Sequence, residues 1–109
     1  MSALQQLAEE FGAVDHDAVP AGVRAAARHC ILDWYGCAIA GQDEPLAVIL
    51  RDELLGGTGP CRIVGRPETA SLLEAALVNG AAGHALDFDD TNLTMSGHPT
   101  VPVVCQPRV

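Results

Sequence analysis

The chain has 109 residues, of which 49% are hydrophobic and only 4% aromatic, and its formal charge is −8. This length allows one domain at most with a modest core, and the shortage of aromatic residues favours close-packed helices over a sandwich or barrel. A negative surface repels phosphate backbones and anionic lipid heads, so we expect neither nucleic acid nor a membrane as a partner.

The N-terminal residues and the cysteines indicate the compartment. Met1–Glu10 lacks the basic and apolar regions of a secretory signal, and no stretch reaches the roughly 18 apolar residues of a membrane span. Cys30 and Cys37 lie two helical turns apart, roughly 10 Å in a regular helix, beyond the about 7 Å between Cα atoms that a disulfide allows. We therefore predict a cytoplasmic protein with reduced, buried thiols.

Two helices are predicted in the first part of the chain. Ser2 can cap a helix from Ala3 to about Phe11. Pro20 suits the first turn of a second helix, which runs to about Ala40 and stops at Gly41. The second half of this helix is almost entirely apolar, so we expect it to be central in the fold.

Asp33 interrupts the apolar half of the second helix. One interpretation is a buried catalytic carboxylate. The other is a structural acid that pairs with an arginine or a backbone amide, or that faces a groove.

A third helix begins around Asp43-Glu44-Pro45, with acids near its N-terminus where the helix dipole favours them. The glycine-rich stretch Gly56–Pro60 then breaks the pattern. It lacks the Gly-Lys-Ser/Thr of a phosphate-binding loop, so we interpret it as a turn. Cys61–Val64 is predicted to form a short extended piece.

The fourth helix is predicted to open at Glu68 or Thr69 and to run to about Leu86. It is apolar on almost every side, so we expect it to be buried on most sides. Gly80 and Gly83 each cost about 1 kcal/mol relative to alanine in a helix interior, which indicates that another backbone passes close by. Together these elements predict an all-α fold, a helical bundle.

A polar segment after the fourth helix collects the groups that can carry chemistry. Two histidines, three aspartates and the threonine that follows them fall within fifteen positions, namely His84, Asp87, Asp89, Asp90, Thr91 and His98. Aspartate and histidine are the usual groups for proton transfer and for metal binding. The other two histidines, His16 and His29, lack such neighbours and are expected to face solvent or to pack.

Three interpretations of this segment stay open on residue types alone. His84, two of the aspartates and His98 could supply nitrogen and oxygen ligands to a metal, although the spacing fits no particular motif and lacks the glycine and closing glutamate of a calcium loop. Alternatively, a carboxylate holds one imidazole as a base while Thr91 donates to substrate. In the third, the acids cap helix ends and His98 merely precedes Pro99 in a surface loop.

The combination of Asn79-Gly80, His84, Leu86–Thr91 and His98-Pro99 resembles the signature of the MmgE/PrpD family. That family includes 2-methylcitrate dehydratase, cis-aconitate decarboxylase and an iminodisuccinate epimerase. The resemblance covers most of residues 3–104. It implies that residues 1–109 are part of an all-helical N-terminal domain, which in full-length members is followed by a smaller α+β domain.

The resemblance also implies a function and its partners. Family members are lyases, typically homodimers, that act on small di- and tricarboxylates in the cleft between their two domains. They need no iron–sulfur cluster or other cofactor, so no metal ligands are expected. A homo-oligomer or a complementing chain is therefore the expected protein partner, and a small polycarboxylate the expected substrate.

The resemblance assigns roles residue by residue. Asp87, Thr91 and His98 match family residues that line the substrate pocket. His98 would transfer a proton or contact a substrate carboxylate, Thr91 would donate a hydrogen bond, and Asp87 would handle a proton or orient the histidine. The supporting positions are His84, Asp89 and Asp90.

Two departures from the family pattern bear on activity. Members continue for several hundred residues and place a lysine and further basic and aromatic site residues there, whereas this chain has no lysine. The gap between Thr91 and His98 is a residue longer than in some relatives. We therefore expect one half of a lyase site that is inactive alone. The alternatives are a non-catalytic truncated fragment that associates with a full-length relative, and a metal-binding helical domain.

Overall fold

The computed structural model describes residues 1–105, and in that part of the chain it is mostly helical, which confirms the all-α prediction. The elements in chain order are α1 (Ala3–Gly12), a 3₁₀ turn (His16–Ala18), α2 (Ala21–Gly41), α3 (Pro45–Leu54), β1 (Cys61–Arg62), β2 (Thr69–Ala70), α4 (Leu72–His84) and α5 (Val101–Val104). The two strands pair antiparallel and are only two residues long each.

Local signals place the first helices where the sequence predicts them. The Ser2 hydroxyl accepts a hydrogen bond from the Gln5 amide, and the Gln5 side chain accepts one from the Ser2 amide, which completes a capping box at the start of α1. Pro20 immediately precedes α2. However, α1 has no buried residue, so its apolar stripe is not covered by the part of the chain that the structure describes.

The predicted start of α4 is wrong. Thr69 and Ala70 form β2, opposite Arg62 and Cys61, and the helix begins only after Ser71. Ser71 and Glu74 exchange side-chain hydrogen bonds with each other's backbone amides at 3.4 and 2.8 Å, respectively. This Ser-x-x-Glu capping box is a stronger start signal than a single threonine at position 69.

The core lies where α4 packs against α2 and α3. Small residues allow the close approach, because a Cβ at Gly41 of α2 would overlap the backbone carbonyl of Ala82 in α4. In α4 itself, Gly83 faces the Trp34 side chain and Gly80 meets only ordinary contacts. The predicted backbone approach therefore occurs, but at Gly41 and not at the two glycines of α4.

The expectation that α4 is buried on most sides is also wrong. Ala75, Val78 and Ala82 face the core, while Leu73 is 81% exposed and two other leucines of the helix are about half exposed. Asp33 of α2 is exposed, which excludes the interpretation as a buried carboxylate in the described part of the chain. No helix in residues 1–105 is sufficiently long and apolar to cross a membrane.

Asn79 joins three parts of the fold from a position that is only 1% exposed. Its Oδ1 accepts a hydrogen bond from the Val64 amide at 2.8 Å, and its Nδ2 donates to the carbonyls of Arg62 and Cys105 at 3.0 and 3.4 Å. One side chain thus ties α4 to the β1 region and to the end of α5. All four cysteines are free thiols, and three of them are buried as predicted, whereas Cys30 is only partly buried.

Candidate functional site

The polar segment starts where α4 ends, two residues earlier than predicted. His84 is the last helical residue, and its carbonyl accepts a hydrogen bond from the Asp87 amide at 3.0 Å. Asp87 has a φ of 55°, in the left-handed region that aspartate tolerates better than most residues. This turn directs the chain back beneath the end of α4.

Asp89 is the buried centre of the site, with 3% of its surface exposed. Its Oδ1 lies 2.9 Å from Nδ1 of His84, and its Oδ2 lies 3.2 Å from Nδ1 of His98. The two imidazole rings are 4.5 Å apart between centroids and meet edge to face at 65°. One carboxylate therefore bridges two histidines that are fourteen positions apart in sequence.

Asp87 approaches the same histidine from the solvent side, with its Oδ1 3.4 Å from Nε2 of His98. One possible donor atom from each of His84, Asp87, Asp89 and His98 lies within 4.8 Å of the others. We call these four residues the His–Asp cluster. His84 and Asp87 are connected through His98, whose ring meets that of His84 edge to face and whose Nε2 faces Asp87.

The contacts of His98 fix the roles of its two nitrogens. Its Nδ1 lies 3.3 Å from the backbone carbonyl of Asp89. A carbonyl can only accept, so the proton of the neutral ring is assigned to Nδ1. In the neutral ring Nε2 then carries the lone pair, and its contact with Asp87 becomes a hydrogen bond once Nε2 accepts a proton.

Asp90 has a different set of partners. Its Oδ2 accepts from the Thr100 hydroxyl at 2.7 Å, and its Oδ1 accepts from the Thr100 amide at 3.3 Å. Thr100 is buried and precedes α5, so this pair holds the start of α5 against the site. Thr100 is not among the site residues predicted from the sequence. The signal that could have identified it is a hydroxyl residue directly after His98-Pro99.

Thr91 is exposed. It lines a cavity of about 460 Å³ together with Asp90, Thr100 and three residues of α2, namely Ala27, Cys30 and Ile31. The two cluster histidines line a separate cavity of about 330 Å³ with residues of α4 and α5. Asp90 and Thr91 thus line one cavity and His84 and His98 the other, whereas Asp87 and Asp89 line neither of the two.

A closed loop connects Thr91 to His98. Asn92 and Gly97 exchange two backbone hydrogen bonds at 2.9 and 3.3 Å, and the Asn92 side chain accepts from the amides of Thr94 and Met95. This pairing fixes the two ends of the loop and thereby the approach of His98 to Asp89. An additional residue at the tip of the loop, between Asn92 and Gly97, can be accommodated without moving the paired ends.

The cluster is electrostatically negative. Among residues 1–105, the ion-pair partners of Asp87 and Asp89 are histidines, whereas Arg66 pairs with Asp43 on another part of the surface.

Burial raises the pKa of the Cys37 thiol, and the charges of Asp33, Asp89 and Asp90 raise it further. The other two histidines, His16 and His29, are exposed, as expected.

Comparison with known proteins gives one family match. A family model described as the MmgE/PrpD N-terminal domain matches residues 5–106, which include the whole polar segment. No curated protein and no solved structure gives a significant match.

Proposed function

Because the chain belongs to the MmgE/PrpD family, we propose that it supplies the helical half of a lyase active site. The proposed substrates are small di- or tricarboxylates such as 2-methylcitrate or cis-aconitate, and the reaction needs no cofactor. The observation that carries this proposal is the geometry of His98, whose Nδ1 faces the Asp89 carbonyl while its Nε2 faces Asp87.

Dehydration or decarboxylation of such a substrate requires a proton-transfer group and stabilisation of the negative charge that develops beside a carboxylate. In the proposed mechanism, Nε2 of His98 takes the proton, and the resulting imidazolium is stabilised by Asp87 at 3.4 Å and by the buried Asp89. Thr91, exposed in the neighbouring cavity, donates a hydrogen bond to the substrate.

The proposed site carries too little positive charge to bind an anionic substrate. The chain carries a net charge of −8, and the His–Asp cluster presents two carboxylates, so an anionic substrate is repelled unless positive groups approach. All six basic residues are arginines, and none is an ion-pair partner of the cluster in the described part of the chain. We therefore propose that a further polypeptide segment or a second chain contributes the cationic lining.

A chimera tests this function. The chain replaces the corresponding N-terminal region of a full-length MmgE/PrpD protein, and consumption of 2-methylcitrate, citrate and cis-aconitate is measured. We expect turnover by the chimera and none by the chain alone. His98→Asn should reduce turnover by about a hundredfold or more, the scale of a lost acid–base group.

His29→Asn is the matched control, since this histidine is exposed on α2 and far in sequence from the polar segment. It should leave turnover unchanged. Normal turnover by the His98→Asn chimera would remove His98 from the mechanism. A folded chimera that consumes none of the three acids would refute the proposed function.

The second candidate is a non-catalytic fragment that associates with a full-length relative. The exposed leucines of α4, among them Leu73, favour it because they leave an apolar face uncovered by residues 1–105. Co-purification of the chain with a full-length family member, together with an inactive chimera, would support this alternative over the lyase.

A further inference from the structure

The His–Asp cluster has the composition and the size of a metal site. We propose that His84, Asp87, Asp89 and His98 bind one divalent first-row transition-metal ion, for which Zn²⁺ is the probe. This inference stands apart from the proposed lyase function, because it concerns the binding of an ion and not turnover.

The distances support a single ion shared by all four side chains. Nitrogen and oxygen ligands lie about 2.0–2.2 Å from Zn²⁺, so two ligands of a tetrahedral ion are about 3.4 Å apart. One donor atom from each residue lies within 4.8 Å of the others, and Nδ1 of His84 lies 2.9 Å from Oδ1 of Asp89. His98 contributes a single ring nitrogen, because its contacts with Asp89 at 3.2 Å and with Asp87 at 3.4 Å run from opposite nitrogens of the ring. Side-chain shifts that bring the four donor atoms from within 4.8 Å to the spacing of tetrahedral ligands would complete the site.

A second observation concerns Asp89. Its Oδ2 is fully buried and has no hydrogen-bond partner, although Nδ1 of His98 lies 3.2 Å away without hydrogen-bond alignment. A buried carboxylate oxygen without a partner is costly and calls for an explanation such as a bound ion. This Oδ2 atom of Asp89 faces the ring of His98, which is another of the proposed ligands.

The charge of the cluster matches a divalent ion. Two carboxylates and two neutral imidazoles carry a charge of −2, and the ion pairs formed by arginines in residues 1–105 lie elsewhere. Imidazole nitrogens favour zinc, iron and related metals, whereas Mg²⁺ and Ca²⁺ prefer all-oxygen sites. The proposed site should therefore bind Zn²⁺ much more tightly than Mg²⁺.

Occupation by an ion and proton transfer by His98 exclude each other. A nitrogen that donates its lone pair to a metal cannot also accept a proton, and the ion would neutralise Asp87 and Asp89. The proposed metal is therefore not a cofactor of the lyase reaction, and its presence should inhibit any turnover that depends on His98.

The experiment titrates the reduced full chain with Zn²⁺ at neutral pH by calorimetry and follows thermal stability in parallel. We expect one ion per chain and an increase in melting temperature. Asp89→Asn should weaken binding at least about a hundredfold, and His98→Asn should do the same. His29→Asn is the control and should bind as the unsubstituted chain does.

The spectrum of the Co²⁺ complex identifies the ligands, because thiolate ligation gives a charge-transfer band and a nitrogen–oxygen site does not. Equal Zn²⁺ affinity in the unsubstituted chain and both cluster variants would overturn the proposal. A thiolate band, or Mg²⁺ binding as tight as that of Zn²⁺, would also overturn it. Loss of metal binding would leave the lyase proposal untouched, since that proposal rests on turnover by the chimera.

Discussion

The indole nitrogen of Trp34 faces the Cα of Gly83 so closely that a Cβ on this glycine would lie 2.6 Å from it. Trp34 is 3% exposed on α2, and Gly83 is the residue before His84 on α4. The contact therefore determines how close α2 and α4 can come at the point where the candidate site begins. The bulky indole of Trp34 fits at this position because Gly83 has no side chain.

Gly83→Ala should destabilise the fold. The added methyl group overlaps the indole of Trp34, which is only 3% exposed, and overpacking of this kind costs about 1–3 kcal/mol. The gain in helix propensity, about 1 kcal/mol, offsets only part of this cost. Chemical denaturation of the full chain measures the change in the free energy of unfolding.

Gly80→Ala is the matched control three residues earlier in the same helix. A Cβ there would meet its nearest neighbour, Cys105, at 3.7 Å, an ordinary contact distance. This substitution should stabilise the chain by up to about 1 kcal/mol. Equal effects of the two substitutions would contradict the role assigned to Trp34.

The local parts of the fold could be predicted from the sequence. Ser2, Pro20 and the proline of α3 mark helix starts through contacts within a few residues, so their helices lie close to the predicted bounds. The start of α4 was missed because Thr69 and Ala70 pair with β1, a partner that lies several residues earlier in the chain. The sequence did not reveal that one side of α4 is exposed, because apolar leucines occupy that side.

The candidate site was predictable as a set of residues but not as an arrangement. The sequence placed His84, Asp89 and His98 in one segment, yet nothing in it indicated that Asp89 would be the buried bridge. That role depends on the left-handed turn at Asp87 and on the loop that returns His98. Thr91 was grouped with these residues by resemblance and lines the neighbouring cavity.

Asn79→Ala should be among the most destabilising single substitutions in α4. It removes a buried amide that pairs with the Val64 amide and with the carbonyls of Arg62 and Cys105. Leaving such groups unpaired costs about 1–3 kcal/mol for each that remains buried. The measurement is again the free energy of unfolding, with Ala81→Ser as a half-buried control on the same helix. An effect no larger than that of the control would show that water replaces the amide.

The capping box at Ser71 predicts an effect at acid pH. Hydrogen bonds from the Ser71 side chain and then its backbone lower the pKa of Glu74 from its ordinary value of 4.5. A carboxyl with a lowered pKa in the folded state stabilises the fold above its unfolded pKa, and this contribution disappears as the pH falls through the folded value. Glu74→Gln should thus lower the melting temperature at neutral pH but not well below pH 4.5. A difference that persists in acid would assign the effect to packing instead.

The carboxylates of the candidate site predict an effect at the alkaline end. Burial, followed by the charges of Asp33, Asp89 and Asp90, raises the pKa of the Cys37 thiol above its ordinary 9.0. The unfolded chain therefore releases this proton at a lower pH than the folded chain, so the contribution of the thiol to stability is complete below about 9.0 and is lost as the pH rises through the folded value. In Cys37→Ala, stability should fall less steeply with pH above 9.0 than in the unsubstituted chain. Cys30→Ala serves as the control, since this thiol is only partly buried on the same helix. Identical alkaline slopes in all three proteins would mean that neither burial nor the nearby carboxylates raise the pKa of the Cys37 thiol.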